Sequence, residues 1–175
     1  MSEKIMSILL IEDDKAACYE LSRYIEKFDD LKLIGITKNA SEGVSMVCSM
    51  PPDVVILDIE LHSGTGNGIM FLAELNAGKP ARRPYILITT NNSSPATYDM
   101  IRHLGADFIM AKCKPSTVPG AFQTSMACLP TILRESILKR ESLPPLNLCI
   151  IMPIRLRQIC NHPNERCAVR FIAFA

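Results

Sequence analysis

Between residues 6 and 130 the chain alternates short apolar runs with longer amphipathic stretches, and few folds satisfy that alternation. The runs are Met6 to Ile11, Leu31 to Ile36, Val54 to Leu57, Tyr85 to Thr89 and Phe108 to Ala111, and all but the last are rich in Ile, Leu or Val. Runs this short and apolar read as strands buried on both faces, separated by crossover helices, so the sheet should be parallel. Five alternating units imply a doubly wound α/β fold with helices on both faces.

The expected helices lie between the runs. Lys15 to Phe28 places Ala17, Leu21, Tyr24, Ile25 and Phe28 near one face, and Ala40 to Met50 does the same with Val44, Val47 and Cys48. A third covers Ile69 to Leu75. Ser94 to Leu104 begins with an N-cap residue and a proline, and Gly105 stands where a C-cap residue belongs. A fifth, from Ser116 to Leu129, is interrupted on paper by Pro119 and Gly120.

Length and composition set further bounds. A chain of 175 residues with 48% hydrophobic residues suffices for one main domain, taken as residues 1–130, followed by a short irregular extension, 131–175. The formal net charge of +1 argues against binding nucleic acid or membranes through bulk charge. The charge is unevenly spread, with 12 Lys and Arg against 15 Asp and Glu in residues 1–130, and 7 against 3 in the remainder. Seven scattered cysteines, no targeting pattern in the first residues and no long apolar span suggest a reducing cytoplasm.

In a doubly wound sheet, ligands bind beyond the carboxyl ends of the strands. The first strand ends in Glu12, Asp13 and Asp14, the third in Asp58, the fourth in Thr89 and Thr90, and the fifth in Lys112. Carboxylates gathered on one rim repel one another unless a divalent cation lowers the cost of ionising them together, and oxygen-only ligands point to magnesium. Lys112 and the Thr89 hydroxyl could then neutralise and hold the oxygens of a phosphoryl group carried by Asp58 as nucleophile. Taken singly, each residue has a plainer explanation, and Asp14 is read as a helix N-cap. The conjunction of four strand ends, each with the residue type that one reaction needs, favours the functional reading.

The segments ILLIEDD, PDVVILDIEL, PYILITT and LGADFIMAK resemble, in order and spacing, the signature segments of response-regulator receiver domains, and together they cover about residues 6–130. The resemblance implies strand order 2-1-3-4-5 and an acidic pair, Glu12 and Asp13, that binds magnesium with Asp58 and the backbone carbonyl of Glu60. It implies that Asp58 accepts a phosphoryl group from a phosphohistidine on a sensor histidine kinase or histidine phosphotransfer protein, with Thr89 and Lys112 contacting that group. The protein would then be a switch rather than an enzyme, with at most self-catalysed phosphorylation and dephosphorylation. Its signal would leave through the face of the fourth helix, fifth strand and fifth helix and through the extension, and either surface could serve a homodimer.

The sequence departs from the family pattern in three places. Lys112 is followed by Cys113 rather than proline, with the proline at Pro115. Ile109 holds the position where receivers often carry a switch aromatic. The loop His62-Ser63-Gly64-Thr65-Gly66-Asn67-Gly68 is glycine-rich, about two residues longer than usual, and lacks the usual proline after the phosphoacceptor. These departures keep open an alternative in which the chain is a receiver-like interaction module not switched by phosphate. A haloacid-dehalogenase-like phosphatase, suggested by Asp58-Ile59-Glu60, fits less well because the acidic pair lies upstream. The loop has no Gly-Lys-Ser or Gly-Lys-Thr end and does not read as a nucleotide cradle.

Residues 131–175 carry less information. A short charged helix from Thr131 to Ser142 would be broken by Pro144-Pro145, and a small hairpin around Asn161 to Glu165 is compatible with the pattern. Cys160, His162 and Cys167 match no defensible zinc spacing. The arginines lack the interleaved aromatics of a nucleic-acid surface. The apolar end from Arg170 to Ala175 should pack on the receiver or on a second subunit.

Overall fold

The computed structural model describes residues 5–62, 66–78 and 80–112, together with Thr131 and Arg134. Five strands, β1 (Met6–Ile11), β2 (Leu31–Thr37), β3 (Val54–Asp58), β4 (Tyr85–Thr90) and β5 (Phe108–Ala111), form one parallel sheet in the order β2-β1-β3-β4-β5. Helices α1 (Lys15–Ile25), α2 (Ala40–Ser49), α3 (Gly68–Gly78) and α4 (Pro95–His103) connect them. The expected fifth helix, the turn at Cys113 and Pro115, and the expected helix and hairpin of the extension lie outside the described residues, Thr131 and Arg134 excepted.

The apolar strands bury both faces, as a parallel sheet requires. Alternate side chains of β1, β3, β4 and β5 (Ile8, Leu10, Ile56, Leu87, Met110) meet Leu21 and Ile25 of α1. The intervening ones (Leu9, Ile11, Val55, Leu57, Ile86, Ile88) meet Ala40 and Val47 of α2, Phe71, Leu72 and Leu75 of α3, and Ile101 of α4. Edge strand β2 departs from the expectation of two buried faces. Its middle residues are half-buried and Ile36 is exposed, because one side of the strand has no described sheet neighbour.

The helix ends follow local chemistry. Asp14 caps α1, its Oδ1 accepting the Ala17 N–H at 2.7 Å, and Asn39 caps α2 by accepting from Ser41 and Glu42. Helix α1 stops at Ile25 rather than Phe28, where the bonds tighten from four-residue to three-residue spacing (Lys27 N–H to the Tyr24 carbonyl, Phe28 N–H to the Ile25 carbonyl). In α2 the buried stripe is Ala40, Gly43 and Val47, at spacings of three and four. Cys48 falls outside it and is exposed, contrary to its expected place on the apolar face. Ser94 occupies the N-cap position of α4, but its side chain makes no capping bond. Gly105 closes α4 at φ +88°, with its own N–H on the Arg102 carbonyl and the Ala106 N–H on the Ile101 carbonyl, the paired bonds of a Schellman motif.

One described contact ties the chain beyond residue 130 back to this unit. The Arg134 guanidinium grips Asp30, at the α1–β2 turn, through Nε at 2.6 Å and a terminal nitrogen at 2.8 Å. No helix among the described residues is long and apolar enough to cross a membrane.

Candidate phosphoryl and metal site

The pleat itself assembles the site. On the α1 side of the sheet the side chains run Ile8-Leu10 on β1, Val54-Ile56 on β3, Tyr85-Leu87 on β4 and Phe108-Met110 on β5. Two residues further along each strand, on the same face, come Glu12, Asp58, Thr89 and Lys112. Backbone bonds prolong the ladder at this rim: Glu12 N–H donates to the Thr37 carbonyl, Ile59 N–H to Thr89, and Lys112 N–H to Thr90. The four residues are therefore held by the sheet rather than by mobile loops.

Glu12 is fully buried, Asp58 is 4% exposed and Thr89 is fully buried, while Asp13 is half-buried. One carboxylate oxygen from each of Glu12, Asp13 and Asp58 lies within 4.8 Å of the others. Lys112 Nζ bridges two of the three, 2.7 Å from Glu12 Oε2 and 2.8 Å from Asp58 Oδ2. Burial pushes Glu12 up to about 7; the hydrogen bond from Lys112 opposes that rise and the neighbouring Asp58 charge adds to it. Burial alone would lower Lys112, but its hydrogen bonds to Asp58 and Glu12 prevail, and its pKa is raised. Three carboxylates beside one bridging ammonium leave a local excess of negative charge. A hard divalent cation with oxygen ligands fits that donor set.

The remaining predicted residues fall around this centre. Asp13 Oδ2 accepts the His62 backbone N–H at 2.8 Å, which fastens the β3–α3 loop to the acidic pair. Asp14 points to α1 as its cap and stands apart from the three-carboxylate group. Thr89 pairs with Asp58 across the β3–β4 ladder, and its hydroxyl donates to the Leu57 carbonyl at a long 3.4 Å. Glu60 donates its backbone N–H to Asp58 Oδ1 at 3.1 Å. Its side chain turns to the β4–α4 loop, where it accepts from the Thr90 hydroxyl at 2.5 Å, Asn92 N–H at 3.0 Å and Asn91 N–H at 3.1 Å.

Two participants escape a reading of the sequence. Gly68 packs against the backbone of Asp58 and Ile59, and a Cβ there would stand 2.4 Å from the Asp58 carbonyl oxygen and 2.8 Å from Ile59 Cα. The signal for it is its place as the last glycine before the expected third helix. The contact of Glu60 with Thr90, Asn91 and Asn92 joins polar residues about thirty positions apart with no intervening pattern.

Comparison with known proteins agrees with this fold. The family model for the response regulator receiver domain matches residues 8–121. The protein-glutamate methylesterase/protein-glutamine glutaminase of Thermotoga maritima is 27% identical over 109 residues, 62% of this chain and 31% of its own length. The transcriptional regulatory protein BtsR of Escherichia coli is 28% identical over 86 residues, 49% of this chain and 34% of its own, so this chain spans about a third of either relative. Among solved structures, the response regulator domain of Thermotoga maritima CheB superimposes with a TM-score of 0.66 at 22% identity, over 81% of this chain and 100% of that one. A DNA-binding response regulator of the LuxR family from Staphylococcus aureus gives 0.59 at 19% identity, over 73% and 98%. With the model matched over most of the chain and the sheet order and rim both present, this chain belongs to the response regulator receiver domain family of two-component signalling.

Proposed function

We propose that Asp58 accepts a phosphoryl group from a phosphohistidine on a sensor histidine kinase or histidine phosphotransfer protein. A carboxylate oxygen of Asp58 forms a bond to phosphorus as the phosphorus–nitrogen bond breaks, and the imidazole leaves with the electron pair. The observation that carries this reading is the position of Lys112, which bridges Asp58 and Glu12 inside a three-carboxylate group. Lys112 would balance the charge of the incoming phosphoryl oxygens, and the Thr89 hydroxyl would leave its long bond to Leu57 to donate to one of them. The Glu60 N–H, already on Asp58 Oδ1, is aimed at the same place.

Magnesium, when bound, would supply the positive charge that neutralises phosphoryl oxygens and carboxylates together. Glu12, Asp13, Asp58 and the backbone carbonyl of Glu60 would hold it. The receiver is taken as residues 1–130, with 131–175 as an extension of the same chain, and the cell compartment is taken as the cytoplasm. The signal would pass to a partner, or to a second copy, through the face of α4, β5 and the expected fifth helix.

Beryllofluoride, a phosphoryl mimic used with the RcsB receiver of Salmonella enterica, provides the test. With magnesium present it should shift the backbone amide resonances of Asp58, Glu60, Thr89 and Thr90, and Asp58→Asn should abolish the shifts. Unchanged spectra in the wild type would contradict the reading.

A further inference from the structure

Receivers often carry a switch aromatic where this chain has Ile109, a residue with no polar tip. Ile109 pairs with Ile88 across the β4–β5 ladder and packs on the cluster that includes Ile101 of α4. Thr90 follows Ile86 and Ile88 on this same face. Its hydroxyl enters the three-donor grip of the Glu60 carboxylate, together with the successive N–H groups of Asn91 and Asn92. Such consecutive amides form a concave anion seat, and charge-assisted bonds into it are the stronger kind. The connection continues to α4, because the Asn92 carbonyl accepts the Tyr98 hydroxyl at 2.7 Å and Asn92 Oδ1 accepts the Ser94 N–H at 2.7 Å.

We propose that Glu60 is a positioning residue, a latch that holds the β4–α4 loop in the unphosphorylated arrangement and releases it when Asp58 is phosphorylated. The inference rests on the phosphoacceptor reading of Asp58. Glu60 joins both ends of the route, with its backbone N–H on Asp58 Oδ1 and its carboxylate on the loop. A phosphoryl group on Asp58 turns a singly charged carboxylate into a group of about −2, adding about one negative charge two residues from the Glu60 carboxylate, which repels it, and draws in the Thr89 hydroxyl next to Thr90. Both effects loosen the seat at Asn91 and Asn92 and free Tyr98, so the change reaches α4 without a switch aromatic.

Amide hydrogen exchange on the full chain, with magnesium and with or without beryllofluoride, tests this. In the wild type, exchange at Asn91 and Asn92 should accelerate at least about tenfold on adding beryllofluoride. In Glu60→Gln both amides should exchange fast beforehand and respond little. Thr90→Val, which removes the hydroxyl that donates to Glu60 and accepts the Asn92 N–H at 2.9 Å but leaves the charge, should fall between them at Asn91, and the Tyr98 ring resonances should move with the loop. Beryllofluoride shifts at Asp58 without faster exchange at Asn91 and Asn92, or wild-type exchange in Glu60→Gln, would overturn the latch. The absence of any beryllofluoride shift at Asp58 and Lys112 would overturn the phosphoacceptor reading and the latch with it.

Discussion

Thr89 stands opposite Asp58 in the β3–β4 ladder, fully buried, with its hydroxyl donating to the Leu57 carbonyl across a long 3.4 Å. A bond that long contributes little to the resting fold, while the hydroxyl lies beside the carboxylate on which a phosphoryl group would form. Thr89→Val should therefore change unfolding free energy by less than about 1 kcal/mol. It should slow phosphoryl acceptance by about a hundredfold, since it removes a donor aimed at developing charge. Urea unfolding and the rate of labelling by acetyl phosphate measure the two. Equal effects on both would mean that the hydroxyl is structural.

Lys112 neutralises part of a buried carboxylate group, and removing it should have opposite consequences for the resting protein and the metal-bound one. Lys112→Met should destabilise the metal-free protein by about 3–5 kcal/mol, the cost of leaving buried charge without its partner. Magnesium should then raise the melting temperature more in the variant than in the wild type, because the cation replaces the missing ammonium. Thermal melts with magnesium and with a chelator check this; no magnesium effect in either protein would count against the metal site.

Gly68 lies so close to the Asp58 carbonyl oxygen and Ile59 Cα that even one methyl group requires backbone movement. Gly68→Ala should cost about 1–3 kcal/mol of stability. It should also impair phosphoryl acceptance, since the backbone that moves carries Asp58, the proposed acceptor. Urea unfolding combined with intact-mass labelling reads both effects.

At the opposite end of the sheet, Asp53 accepts from the Ser7 N–H at 2.9 Å and the Ser7 hydroxyl at 2.7 Å, and pairs with Arg82. Burial would raise this carboxyl, but the Ser7 and Arg82 hydrogen bonds prevail and lower it to about 2. A depressed carboxyl contributes stability above its ordinary pKa, near 3.8, and that contribution is lost as pH falls towards about 2. Discounted for solvent screening, it amounts to about 1 kcal/mol. Asp53→Asn should thus be less stable than the wild type at pH 5 and above, with the gap closing below pH 4. A gap that persists to pH 2 would assign the difference to packing.

The legible and illegible parts of this molecule differ in physical kind. Strand positions and the rim of Glu12, Asp13, Asp58, Thr89 and Lys112 follow from apolar runs and from the residues that end them, because the pleat carries each run's periodicity straight into the site, whereas the sheet order was legible only through the resemblance to receiver domains. Asp14 as a cap was legible for the same local reason. Helix ends at Ile25 and the exposure of Cys48 depend on where a last turn tightens and how wide a buried stripe is, which periodicity alone does not specify. The close approach of Gly68 and the grip of Glu60 on Thr90 are tertiary contacts between distant segments. The bidentate pair of Asp30 and Arg134 is another, and it carries receiver contacts past the boundary drawn at residue 130.

The central claim is that Asp58 is a magnesium-dependent phosphoacceptor, and intact-protein mass after incubation with acetyl phosphate tests it most directly. The account predicts a gain of one phosphoryl group in the wild type, none when magnesium is chelated, and none in Asp58→Asn. No gain in the wild type, or an undiminished gain in Asp58→Asn, would contradict it.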